Sequence, residues 1–209
     1  MKIKSDDIDT PFLWVDLDIM ESNIINLSSF FQSKGLDWRP HSKGIKIPEI
    51  AKKLIDAGAT GVTCAKLSEA EVMVAGGIKS ILIANQIVGE KKIERLCELS
   101  KKAEIIVALD NEEVAIQMDQ LAQKNYVQIK ILVEINIGMD RAGVEAGETT
   151  LNFCKRIASL KNLNFLGLMA WEGHAVGIID PKEKAQTITD SMHQLIESIE
   201  LSNNSKKLR

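Results

Sequence analysis

The 209-residue chain has no apolar run near the roughly 20 residues that span a bilayer, no long run of lysine and arginine, and three cysteines. The first shortage excludes a helical membrane span. The N-terminal stretch 1–9 is polar and acidic, without the basic-then-apolar order of a secretory signal, so a cytoplasmic protein is expected. The missing basic run excludes nucleic acid and anionic membranes as natural partners: 26 Lys+Arg stand against 29 Asp+Glu, a formal net charge of -3. Cys64, Cys97 and Cys154 are odd in number, widely separated and in no metal-like spacing, which suits buried free thiols in a reducing compartment. No low-complexity linker divides the chain. What is present is ordinary globular material, 45% hydrophobic and 26% charged, enough to bury one substantial core, with a small molecule as the default partner.

Short apolar runs alternate with longer amphipathic ones. Strands are expected at 12–18, before Gly44, at 61–65, 80–84, 104–109, 129–137 and 163–170. Helices are expected after residue 18 as far as Gly35, then at 48–57, from a Ser68 cap to Gly76, and at 90–102, 111–124, 149–159 and 185–201. Strict alternation implies a parallel sheet with right-handed crossovers, either a (β/α)8 barrel or a doubly wound sheet. The strand ends favour the barrel, because Lys43, Cys64, Asn85, Asp110, Gly138 to Arg141 and Trp171 to His174 gather where barrel active sites form.

The stretch Arg39-Pro40-His41-Ser42-Lys43 stands out. As a strand it would point Arg39, His41 and Lys43 to one face, a row that needs a partner, a ligand or water. Two readings stay open on these residues: a strand end whose basic groups reach solvent, or a site.

Four segments then carry a resemblance. Thr10-Pro11 with Val15-Asp16-Leu17-Asp18, Arg39-Pro40-His41-Ser42-Lys43, the run Cys64-Ala65-Lys66-Leu67-Ser68-Glu69-Ala70, and Glu134-Ile135-Asn136-Ile137-Gly138-Met139-Asp140-Arg141-Ala142-Gly143-Val144 occur in order. Together they resemble the D-threonine aldolase and D-serine dehydratase-like family of alanine-racemase-type barrels that use pyridoxal 5'-phosphate. The resemblance implies that Lys43 forms the internal aldimine, in a field supplied by Arg39, His41 and Lys46. It implies that Arg141 contacts the cofactor's phenolic oxygen or the substrate carboxylate, and that Trp171 stands where related barrels set an aromatic ring, usually tyrosine, against the cofactor. His41 and Asn85 join the cofactor side, with Gln86 beside Asn85, and His174 is a candidate acid/base or substrate contact. Glu69 and Glu71 read as first-turn helix charges.

Two departures from the family pattern matter. Isoleucine stands at position 45 where the family commonly has histidine, which bears on the substrate. Counting from the Lys43 strand gives six barrel strands, so strands seven and eight, the phosphate-binding segment, the metal ligands and a C-terminal β domain pairing with 12–18 are expected beyond this chain. The expectation is an α/β, (β/α)8-type barrel of the alanine racemase N-terminal kind, incomplete and truncated, in a single domain over 1–209. It would serve retro-aldol cleavage of a D-β-hydroxy amino acid such as D-threonine, with a divalent metal held in the absent region and a homodimer as the possible assembly. The alternatives are a D-serine or D-3-hydroxyaspartate dehydratase, a racemase, a non-catalytic carrier of the cofactor, and an unrelated phosphosugar-binding barrel.

Overall fold

The computed structural model describes residues 8–204, so most of the polar stretch 1–9 lies outside the described residues. In chain order the elements are α1 (Leu17–Ser33), α2 (Pro48–Asp56), β1 (Val62–Cys64), α3 (Leu67–Ala75), β2 (Ser80–Gln86), α4 (Glu90–Ser100), β3 (Glu104–Leu109), α5 (Glu112–Lys124), β4 (Ile129–Asn136), β5 (Val144–Glu145), α6 (Glu148–Ala158), β6 (Leu163–Ala170) and α7 (Pro181–Asn203). Pairing is parallel throughout and runs β1-β2-β3-β4-β6, with two-residue β5 on the carboxyl end of β4. Strand order that repeats chain order is barrel winding, since a doubly wound sheet would reverse direction at a switch point.

β4 shows how the sequence makes the layers. Along Ile-Lys-Ile-Leu-Val-Glu-Ile-Asn, side chains alternate between faces. Ile129, Ile131, Val133 and Ile135 are buried and belong to the layer against the helices, each stabilising the fold by about 1.5–3 kcal/mol. Lys130, Leu132, Glu134 and Asn136 take the other, concave face, where Leu132 is only half-buried. Ile81, Ile83, Ile105, Val107 and Leu163 repeat the pattern on the helix side, packed with Met73, Leu96, Met118 and Cys154. All three cysteines are free and buried, and burial pushes the Cys154 thiol up to about 11.

The amino ends of the strands are tied by a polar network. Arg39 donates to Ser80 Oγ at 3.1 Å, Ser80 Oγ to Glu104 at 2.5 Å, and Lys130 pairs with Glu104. Gly61 makes room for it, because a Cβ there would lie 2.1 Å from Arg39 Nη1 and 2.3 Å from the Ser80 carbonyl oxygen. Arg39 is thus directed to the end opposite Lys43 and does not join its field.

Two expected elements differ. Residues 12–16 join no sheet among the described residues, and Leu13 and Trp14 are 81% and 69% exposed. Asp16 ends that segment as the helix cap, its Oδ1 accepting from Ile19 N at 3.0 Å, so residues 17 and 18 are helical rather than strand. α1 is held by Ile24, Met20 and Phe31 against Trp38, the Phe31 and Trp38 rings stacked at 5.9 Å. At α3 the cap is Lys66 rather than Ser68, and the helix begins at Leu67.

Candidate functional site

Lys43 stands where the chain turns off the sheet. Residues 39–41 run beside β1: Thr63 N donates to the Pro40 carbonyl at 2.8 Å, and His41 forms a parallel bridge with Thr63. Proline fits here because its carbonyl, not the missing N–H, is used. The expected strand stops at that bridge. His41 Nδ1 accepts from Lys43 N at 3.2 Å and Ile45 N bonds back to the Ser42 carbonyl, which makes Ser42–Gly44 a single 3-10 turn. Ser42 Oγ fastens the turn to the Thr63 carbonyl at 3.0 Å. Beyond it, Lys46 takes a φ of 60° and pairs with Glu69 at 3.2 Å, while Glu69 accepts from Ala65 N at 2.8 Å. Glu69 therefore does more than charge a first turn: it locks the loop carrying Lys43 to the loop after β1.

The carboxyl ends of the strands surround a cavity of about 620 Å3 lined by His41, Lys43, Asn85, Glu134, Arg141 and Trp171, among others. Lys43 Nζ lies 5.6 Å and the Arg141 guanidinium carbon 4.7 Å from the Trp171 ring centre. Asn85 is tied down by a 2.9 Å bond to the Ala65 carbonyl, and Gln86 Nε2 donates to Glu134 at 2.5 Å. A larger hollow of about 910 Å3 lies between outer helices, where Arg95 and Glu71 already pair at 2.5 Å; it is a solvated, ion-paired surface.

Electrostatics distinguish the lining groups. Burial, and then the Lys43 charge, press the His41 pKa below its ordinary value, against the pull of Glu69 and a backbone hydrogen bond with Thr63, so the ring favours its neutral form. Glu134 is 6% exposed, and burial followed by the nearby Asp110 raises its carboxyl pKa against the bond from Gln86 and the charge of Arg141. Lys43 and Arg141 themselves are exposed on the open concave side. Lys43 is not enclosed, because the sheet does not close over it among the described residues.

Five of the expected residues, Lys43, His41, Asn85, Arg141 and Trp171, therefore come together. His174 does not. It sits in the turn Gly173–Gly177 with Nε2 3.3 Å from Ser191 Oγ on α7, packed behind Gly138, and it does not line the cavity. The physical reason is the turn itself, which folds the chain after β6 toward α7. Glu134 was the residue that pattern reading passed over. Its signal was an acid inside the apolar run of β4, where an unpaired charge is costly. Among the described residues no group of three or more His, Cys, Asp or Glu is placed to hold a metal, and no helix is long and apolar enough to cross a membrane.

Comparison with known proteins fits this geometry. The family model described as alanine racemase, N-terminal domain, matches residues 15–207. The chain is 35% identical over 179 residues to the D-threonine aldolase of Arthrobacter sp, covering 86% of this chain and 47% of that protein. It is 33% identical over 200 residues to the 3-hydroxy-D-aspartate aldolase of Paracoccus denitrificans (strain Pd 1222), covering 93% and 51%. The crystal structure of D-threonine aldolase from Filomicrobium marinum superimposes with a TM-score of 0.93 at 35% identity, over 96% of this chain and 54% of that one. The chain thus spans about half the length of the curated relatives it matches. With the parallel sheet in barrel order and its lysine at the carboxyl ends, the chain belongs to the alanine racemase N-terminal domain family.

Proposed function

We propose that this chain takes part in pyridoxal 5'-phosphate-dependent retro-aldol cleavage of D-β-hydroxy amino acids, with D-threonine as the representative substrate. The observation that carries the reading is the convergence of Lys43, His41, Asn85, Arg141 and Trp171 on one cavity. These residues fit the cofactor: a primary amine for its aldehyde, an aromatic face for its ring, and a planar cation for its oxygens. When bound, the cofactor supplies an electron sink for negative charge at the amino acid's α-carbon.

The chain's own groups would do the rest. Lys43 would provide the primary amine that holds the cofactor's aldehyde. Arg141 and Trp171 would meet the cofactor from the cavity wall, which also carries Gln86 and Glu134, held together by their hydrogen bond. In the cleavage the Cα–Cβ bond breaks, the β-hydroxyl loses its proton as the aldehyde forms, and the α-carbon takes a proton to give glycine.

The test is direct. Protein mixed with pyridoxal phosphate should turn yellow and be fixed at Lys43 by borohydride, and Lys43→Ala should do neither. D-threonine with manganese should then yield glycine and acetaldehyde. Ammonia and a 2-oxo acid instead would identify a dehydratase, and a colourless mixture with the full-length wild-type protein would sink the cofactor reading.

A further inference from the structure

The side-chain amide of Asn136, at the end of β4, is fully used. Its oxygen accepts from the Gly138 and Asp140 backbone N–H groups, each at 3.1 Å. Its nitrogen donates to Asp140 Oδ1 at 2.7 Å and to Glu145 Oε1 at 3.3 Å. A carboxamide has two N–H donors and two acceptor sites, so nothing is left over. These four bonds close the turn between β4 and β5 and hold Asp140 at a φ of 53°, a left-handed conformation that non-glycine residues adopt at a cost.

The next residue is Arg141. Its guanidinium makes no ion pair among the described residues, and its close ring contact is Trp171 at 4.7 Å. A long side chain without a fixed partner keeps its rotamer entropy, so where its backbone leaves the turn decides where its charge reaches. The far end of the turn is clamped too, by Gly143 N donating to Asp110 at 2.9 Å.

We propose that Asn136 and Asp140 form an amide–carboxylate positioning pair that fixes where Arg141 presents its guanidinium at the cavity mouth. The functional weight of that placement rests on the reading of the cavity as a cofactor site. The pair is directional. Asn136→Asp keeps the shape but sets a carboxylate against Asp140, now 2.7 Å away, and more distantly against Glu145 at 3.3 Å, whereas adding Asp140→Asn restores an amide facing a carboxylate at the shorter contact and leaves only the weaker Glu145 repulsion. Asp140→Asn alone still offers an acceptor and should be nearly silent.

The cofactor-free chain labelled with 15N in its arginine side chains gives the test, with Arg141→Lys assigning the signal. The Arg141 Nε–H resonance should be displaced by the Trp171 ring in the wild type, lose that displacement in Asn136→Asp, and regain it in the double exchange. Should Asn136→Asp fail to melt cooperatively, Asp140→Ala removes the pair without adding repulsion and is expected to lose the displacement as well. A wild-type Arg141 signal in folded Asn136→Asp or Asp140→Ala overturns the proposal, as does a lost signal that the double exchange fails to restore. With pyridoxal phosphate added, Asn136→Asp should bind about tenfold more weakly and the double exchange should recover. If the full-length wild type binds none, the cofactor reading fails while the resonance still judges the pair.

Discussion

Arg141 lies across Trp171, its guanidinium carbon 4.7 Å from the ring centre, with Lys43 Nζ at 5.6 Å from the same ring. One indole therefore serves both cations of the cavity. Trp171→Ala is expected to weaken pyridoxal phosphate binding by about 2–5-fold, the ~0.5–1 kcal/mol of an exposed cation–π contact, and Trp171→Phe should keep part of it. Absorbance titration of the two variants checks this, and equal affinities in both would refute the contact's role.

Gly143 sits at a φ of 101°, and a Cβ there would lie 2.5 Å from Asn136 N and 2.6 Å from the Ile135 carbonyl carbon. Strain and backbone overlap act together, so Gly143→Ala should cost roughly 2–3 kcal/mol in urea unfolding. Gly89, at a φ of 96° with nothing near its missing Cβ, is the control and should lose only about 1 kcal/mol on the same change.

Glu104 is held below the ordinary carboxylate range, first by Lys130 and then by Ser80, with burial opposing. Its folded pKa is the lower one, so its contribution is complete above the unfolded value and is lost as pH falls through the folded value. Glu104→Gln should therefore melt lower than wild type near neutrality, by under about 1 kcal/mol because the pair is partly exposed, and match it in acid. Thermal melts across that range would show a constant gap if the pairing were unimportant.

Glu134 has the opposite sign. Burial raises its carboxyl, so it favours the folded state while protonated and loses that contribution as pH rises through the raised value. Glu134→Gln should match wild type in acid and melt higher above neutrality, by about 2–4 °C if the gain is roughly 1 kcal/mol. A lower melting temperature at high pH would contradict the assignment.

The barrel order was legible because β2, β3 and β4 are apolar runs rich in isoleucine and valine and β6 is a leucine-rich one, each separated from the next by an amphipathic helix. Lys43 was legible as a basic residue at a strand end. What escaped were features that depend on which hydrogen bond wins locally. His41 captures the Lys43 amide and converts an expected strand into a turn, and Asp16 captures Ile19 N and starts α1 two residues inside another expected strand. Arg39 and His174 were misplaced for a related reason: alternation gives the face a side chain takes but not the end of the sheet it reaches, nor the fold of a glycine-flanked loop.

Because β1 to β4 pair in the order in which they occur, each of these strands meets its neighbour after a single crossover helix, 19–24 residues along the chain. Pairing between successive strands keeps each closing loop to one helix and its turns, which costs less chain entropy than pairing strands farther apart in sequence. The β1–α3–β2 unit can form before β4 has left the ribosome, each completed strand offering its edge as the template for the next. The lysine turn, resting on β1, would then be in place before the Arg141 loop that faces it has been synthesised.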